Sequence, residues 1–397
     1  MMSVWSSLVG QDAAVAKLSE AAASARAIVA SRGSGRATDE ARSMSHAWLI
    51  TGPPGSGRSV AARAFAAALQ CTGATPGCGQ CPGCRTTMGR TNADVLFAAT
   101  ETSIINVETA RSLVLQAQSS PSQGLWRVIV VEDADRLGES GANALLKAIE
   151  EPPEHTVWLL CAPSPEDMIA TIRSRCRHLG LRIPTASAVA DLLVREGVAT
   201  PEVALEAARA AQSHIGLARA LARDPQMRER RRAIITAPAS VRSVGEAVMA
   251  ADRLLETAKA QADAQVSDRN AREKADLLRQ LGMEEGENAT KASRTMLRQL
   301  EEDQKRRSKR ALTDAIDRAL IDLLAIYRDI LMVQVGGDGE LINTDLSELV
   351  HQIAHDSTPH QTLARVDHIE TARKRLVANG NPLLVLEDMA ISLRPQA

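Results

Sequence analysis

Aromatic side chains are scarce. Four tryptophans, two phenylalanines and one tyrosine make up 2% of the 397 residues. That poverty excludes a surface that binds single strands by stacking bases on rings. The net charge is −1, so the chain has no globally basic body, and any nucleic-acid contact must use a local patch. No apolar run approaches the ~18 residues of a membrane-crossing helix, so no membrane partner is expected. The opening Met1-Met2-Ser3-Val4-Trp5 lacks the basic-then-apolar order of a secretory leader, and a cytoplasmic protein is the expectation. Six cysteines are present, and four fall within positions 71–84. Such clustering speaks for metal ligation and not for disulfides. With 45% hydrophobic and 24% charged residues, the chain has the make-up of a soluble globular protein of two or three domains.

The most informative stretch runs from His46 to Gln70. Ala47-Trp48-Leu49-Ile50 has strand character, and Val60 to Leu69 repeats Ala, Phe and Leu at helical spacing. Between them lies Thr51-Gly52-Pro53-Pro54-Gly55-Ser56-Gly57-Arg58-Ser59, a G-x-x-x-x-G-[KR]-[ST] loop. Backbone amides at the start of the following helix can wrap an anion, and strand-loop-helix is the context this motif requires. One position departs from the usual pattern: Arg58 stands where a lysine should reach the phosphates.

Further strands are expected at Asp94–Phe97, Arg127–Val131, Thr156–Leu160 and His178–Leu181. Helices are expected at 13–30, 107–118, 141–151 and 165–172, with a patternless loop over 31–45. Strands alternating with helices, most without a polar face, imply a parallel sheet covered on both sides, with ligands at the carboxyl ends of its strands. Both the phosphate loop and the acidic Glu132-Asp133 fall there. Pro184 opens a small all-helical segment, and from Pro238 onward the chain is helical and richer in charge. Long helical stretches are expected over 241–283, 289–335, 341–378 and 382–393. Leu312, Ile316, Leu320, Leu323, Tyr327 and Ile330 form a stripe that reads as a core seam. Lys305-Arg306-Arg307 and Lys309-Arg310 follow Glu301-Glu302-Asp303, and a solvated helix face is the simplest reading of that run.

Cys71, Cys78, Cys81 and Cys84 are spaced C-x6-C-x2-C-x2-C, with glycines and a proline between them. Four thiolates in tight turns suit tetrahedral zinc at ~2.3 Å, and a fully protein-ligated site has no open position for water, so a structural role is expected. Cys161 and Cys176 stand alone and read as small core residues.

The phosphate loop, the four cysteines after its helix, Asn143-Ala144-Leu145-Leu146-Lys147-Ala148-Ile149-Glu150-Glu151-Pro152-Pro153 and Thr171-Ile172-Arg173-Ser174-Arg175-Cys176 together resemble the bacterial sliding-clamp loader family of AAA+ ATPases. The resemblance covers roughly residues 3–235. It implies an α/β AAA+ P-loop domain with a parallel sheet over 1–183, with the zinc module at 71–84. A small helical lid would cover 184–237, and an all-α collar that builds a ring would cover 238–397. It further implies that Val9, in Val9-Gly10-Gln11, lines an adenine pocket. Gly52, Gly55, Gly57, Arg58 and Ser59 would face the phosphates, and Glu132 and Asp133 would stand at the positions of the magnesium carboxylate and the catalytic base. Implied partners are gamma/tau ATPase and delta subunits, the β sliding clamp and, through the assembly, primed DNA. Polymerase chemistry belongs to other subunits of that assembly.

An active NTPase needs a flexible point charge on the phosphates, a metal-holding Asp, a water-positioning carboxylate and γ-phosphate sensors. Here Arg58 is a planar fork, and such an exchange is not conservative. Glu132-Asp133 inverts the family's Asp-Glu order, and ~1 Å of misplacement costs ~100-fold in rate. No polar sensor stands near Ala162-Pro163, and Arg219 lies about one helical turn from the family's lid arginine. The glycines and Ser59 remain available for ATP or ADP with magnesium, whereas Arg58 can itself fill the phosphate space. Ser174-Arg175-Cys176 is intact. In the family that arginine completes a neighbour's ATP site, so Arg175 is the expected catalytic residue, a trans arginine finger. The reading that follows is a non-motor ring member with weak or absent ATPase of its own. A working ATPase motor and a zinc-bearing AAA+ scaffold outside replication remain the alternatives.

Overall fold

The computed structural model describes residues 3–31, 43–98, 105–281, 283 and 291–394. Most of the loop expected over 31–45, and the junction at 284–290, lie outside the described residues. The chain forms two compact units, Met1–Arg219 and Ala220–Ala397.

The first unit is an AAA+-like P-loop domain. Its strands are β1 (Ala47–Thr51), β2 (Val95–Ala98), β3 (Arg127–Val131), β4 (Thr156–Ala162) and β5 (Arg177–Gly180). They form one sheet in the order β2-β3-β4-β1-β5, parallel throughout, with Trp48 beside Leu159 and Ile129 beside Trp158. Successive side chains point to opposite faces, and both faces are buried here. Trp48, Ile50, Val128, Val130, Leu159 and Cys161 pack on one side with α1 (Asp12–Ala30) and α2 (Arg58–Leu69). Leu49, Ile129, Val131, Trp158 and Leu160 pack on the other with α4 (Val107–Ala117) and α5 (Glu139–Glu150). On the α2 side, α3 (Pro82–Met88) begins within the cysteine cluster, with Cys81 as its N-cap and Cys84 in its first turn. The alanines of α2 let it lie close to the sheet, where Phe65 meets Trp48 edge-on at 5.2 Å.

The segment expected to be one helix over 165–172 is instead a 3-10 turn, Pro165–Asp167, followed by α6 (Ala170–Arg173). Ser164 caps the turn and Asp167 returns a bond to the Ser164 amide at 2.9 Å, closing it after three residues. Helices α7 (Ala186–Arg195), α8 (Pro201–Ala210) and α9 (Ile215–Arg223) follow, and the boundary between the two units falls in α9.

The second unit is all helical: α10 (Pro225–Ser240), α11 (Val244–Gln280), α12 (Lys291–Gln334), α13 (Ser347–Asp356), α14 (Pro359–Val377) and α15 (Pro382–Ser392). Pro238 lies inside the end of α10, so that helix crosses the position read as a boundary. The stretch 341–378 breaks at Thr358-Pro359, where Thr358 and Gln361 form a capping box and Pro359 opens α14. Ile316, Leu320, Leu323, Tyr327 and Ile330 are buried in one core with Leu255, Val350, Ile369 and Leu386, as the stripe predicts.

Along α11, Ala247, Ala251, Leu255, Ala258, Ala262 and Val266 are buried at helical spacing. Beyond Val266 the α11–α12 seam turns polar. Gln304 donates to the Asn270 carbonyl at 2.9 Å, and Arg307 bonds Asn270 at 2.7 Å and Glu273 at 2.8 Å. Arg307 therefore belongs to this seam and not to a solvated face.

Candidate functional site

Strand β1 feeds the phosphate loop and α2 leaves it. Gly55 and Gly57 have φ of +89° and +90°, a region that side chains rarely adopt. Gly57 directly precedes α2, so its turn sets the helix N-terminus against the loop. A methyl at Gly55 would come within 2.9 Å of the His214 Cα, so the turn between α8 and α9 presses on the loop. Gln212 and Ser213 in that turn hold φ of +47° and +63°. Val9 is buried nearby. Gln11, also buried, donates to the carbonyls of Ser56 (3.3 Å) and Arg182 (2.5 Å) and accepts from the Arg182 amide (3.2 Å). The Val9-Gly10-Gln11 segment is thus tied to the phosphate loop and to the exit of β5.

Arg58 does not extend as a lysine would. Its Nη1 donates back to the Gly52 carbonyl at 2.7 Å. The amide of Gly52 donates to Pro163 O at 3.1 Å, so a backbone carbonyl, and not a polar side chain, meets the loop from Ala162-Pro163. Glu132 and Asp133 sit at the end of β3, as expected for a parallel sheet. Burial, with Asp133 adding to it, pushes the Asp135 carboxyl above its ordinary range. Cys161 lies beneath, and burial first and then the charge of Glu132 push its thiol up to about 12. Burial alone raises Cys176, also to about 12. Cys161 is a buried core residue, and Cys176 is half-buried against the opposite face of the sheet.

Magnesium would draw on Ser59 and Glu132. Glu132 is already engaged: its Oε1 accepts from Arg90 Nη2 at 2.6 Å, and the Arg90 guanidinium stands 5.0 Å from the centre of the Phe97 ring. With that oxygen engaged, Glu132 offers a divalent cation only its second oxygen, beside a guanidinium charge that opposes one, so the residues present fit magnesium poorly.

The four cysteines do come together. The Sγ atoms of Cys71, Cys78, Cys81 and Cys84 lie within 4.8 Å of one another, and Cys71 and Cys81 are 3.8 Å apart. Four thiolates at ~2.3 Å from one ion stand about 3.8 Å apart, so the cluster can coordinate a metal ion. Cys78 Sγ accepts from the Cys81 amide, and Cys81 Sγ from the Cys84 amide, each at 3.4 Å. Burial acts to raise the Cys81 thiol, but the amides of Cys84 and Thr72 outweigh it and bring the group down to about 6. The module is fastened on three sides. Gly77 accepts from the Val4 amide at 3.0 Å, Arg26 donates to the Ala74 and Cys71 carbonyls at 2.8 Å each, and the Cys84 thiol faces Ala67 O at 3.5 Å.

Arg175 is placed elsewhere, just before β5, and is exposed. Its partners are Glu150, by an ion pair, the Thr171 carbonyl at 2.8 Å and Ser174 Oγ at 3.3 Å. None belongs to the phosphate loop. Arg219 forms a two-pronged pair with Glu196, both bonds 2.9 Å.

The family described as "DNA polymerase III, delta subunit" matches residues 36–185. The DNA polymerase III subunit gamma/tau of Mycobacterium tuberculosis (strain ATCC 25618 / H37Rv) is 35% identical over 162 residues, 39% of this chain and 28% of that one. The DNA polymerase III subunit delta' of Pseudomonas aeruginosa is 34% identical over 165 residues, 41% of this chain and 50% of that one. The chain is homologous to bacterial DNA polymerase III clamp-loader subunits. It spans half or less of the length of these two relatives.

In this clamp-loader homologue, sequence reasoning missed Arg90, Glu150 and Gln11 as parts of the site. Nothing in the spacing pairs Arg90 with Glu132, 42 residues on, or Gln11 with Arg182, 171 residues on. A polar side chain so early and so buried as Gln11 is a signal only after its partners are known. Among the described residues no helix is long and apolar enough to cross a membrane.

Proposed function

We propose that this clamp-loader homologue is a delta-prime-type subunit: a non-motor ring member that lends Arg175 to the ATP site of an adjacent gamma/tau subunit during loading of the β sliding clamp onto primed DNA. The observation that carries the reading is a contrast. The chain's own loop is closed upon itself by Arg58 on Gly52 O and by Arg90 on Glu132, whereas Arg175 is exposed. A guanidinium supplied in trans stabilises charge on the transferring phosphoryl and is worth ~10³ to 10⁵ in rate at the site it serves. The chain's own ATPase is weak or absent, and ATP or ADP held by the loop glycines has no catalytic part. The four cysteines hold a structural zinc, a metal that four thiolates satisfy without an open position. Residues 184–237 act as a lid, and 238–397 as the collar that meets neighbouring gamma/tau and delta subunits in the cytoplasm.

The test is the ring reconstituted with Arg175→Ala. ATP turnover at the adjoining gamma/tau site should fall by at least ~10³-fold while the chain still assembles. Unchanged ring hydrolysis, or brisk ATP turnover by the isolated chain, would overturn the reading in favour of a gamma/tau-type motor or a scaffold.

A further inference from the structure

Arg90 leaves the cysteine module at an unusual angle. Its φ is +58°, a left-handed backbone that non-glycine residues adopt in only a few per cent of cases. The turn is well tied: Gly89 donates to Arg85 O at 2.9 Å, Arg90 to Thr87 O at 3.1 Å and Thr91 to Thr86 O at 2.8 Å. From this turn the side chain passes the Phe97 ring and reaches Glu132, whose side chain is 12% exposed. Arg63, half-buried on α2, has its pKa lowered by burial first and then by the charge of Arg90, with Glu132 partly offsetting both. A strained backbone, an aromatic rest and a short ion pair thus all serve to bring one guanidinium to one carboxylate.

We propose that Arg90 is a resident counter-ion for Glu132, delivered by the cysteine module, and that it keeps the metal position beside the phosphate loop closed to divalent cations. The proposal rests on reading Glu132 as the carboxylate of that position, and is independent of what Arg175 does. Magnesium and manganese bind through hard oxygen ligands, and the Arg90 guanidinium takes one Glu132 oxygen and sets a positive charge beside the other, which opposes an ion there. The cysteine module fixes where Arg90 begins.

The experiment titrates the full chain with manganese and ATP, reading free manganese by electron paramagnetic resonance. Arg90→Gly suits the left-handed backbone and removes the guanidinium, and Arg90→Asn, also tolerated there, is the second variant. Both should bind manganese-ATP on the order of tenfold more tightly than the unsubstituted chain, the size of one charge-assisted hydrogen bond. ATP without metal should bind all three alike, and adding Glu132→Gln should abolish the gain. Equal affinity across the three chains, no binding by any of them, or a gain that survives Glu132→Gln would each overturn the proposal. An assembled ring indifferent to Arg175→Ala would overturn the finger and leave this proposal standing.

Discussion

Arg175 and Glu150 form an ion pair at the surface, with side chains 40% and 41% exposed, and the same guanidinium donates to Thr171 O at 2.8 Å. The finger proposed to serve a neighbour is thus parked against its own subunit, between the end of α5 and the end of α6. To reach outward it must leave Glu150.

Glu150→Gln should release the arginine at little cost to the fold. An ion pair this exposed contributes about 0.2–1 kcal/mol, so the melting temperature should barely move. If parking competes with transfer, ring ATPase should rise, and by no more than roughly fivefold, which is what 1 kcal/mol allows. The gain should shrink as salt screens the pair in the unsubstituted ring. Steady-state hydrolysis against ionic strength is the measurement, and a fall in activity would mean that Glu150 presents the finger instead of withholding it.

Cys78→Ser, or a strong chelator, should strip the metal from the cysteine module. Isolated zinc modules owe about 10 kcal/mol or more to their ion, but here Val4, Arg26 and Ala67 also hold the segment, so a loss of about 3 kcal/mol is expected. For a unit of this size that is roughly 6–12 °C of melting temperature. Elemental analysis should find one zinc per chain before treatment. Calorimetry should then show the drop confined to the phosphate-loop unit, with ring hydrolysis little changed.

Asp94 carries the clearest pH dependence. Burial would raise its pKa, but the amides of Ser122, Gln123 and Gly124 and the Ser122 hydroxyl outweigh it and hold the carboxyl below its ordinary range. A carboxyl lowered on folding contributes stability that is fully present above its unfolded pKa, about 3.9, and is lost as pH falls through the lower folded value. Asp94→Asn should therefore cost about 2–3 kcal/mol at neutral pH, since an amide nitrogen would face N–H donors. The two proteins should converge in stability as the solution is acidified below pH ~4. Denaturant midpoints across pH check this, and a constant difference down to acid would contradict it.

The elements most legible beforehand were those whose reason is local. Arg127–Val131 is a run of branched residues with both faces covered, so it appears with the bounds read for it. The cysteine cluster was equally legible, because C-x2-C turns restrict where sulfurs go. Pro238 did not stop α10, which runs two residues past it to Ser240. Arg90 and Glu150 were invisible for another reason: an arginine's worth in a site depends on which carboxylate the fold carries to it. Even the departure at Arg58 was legible only as a wrong letter. Its bond to Gly52 O needed the loop's curvature.

The polar outer stretch of the α11–α12 pair has a consequence of its own. Ala262, Val266 and Ala311 close the inner part by excluding water, which added salt does not loosen, whereas Asn270, Glu273, Gln304 and Arg307 close the outer part by charge and hydrogen bonds. Of these outer fastenings only the Arg307–Glu273 pair answers to ionic strength, so added salt should loosen the far end of the two helices slightly and leave the alanine end as it is.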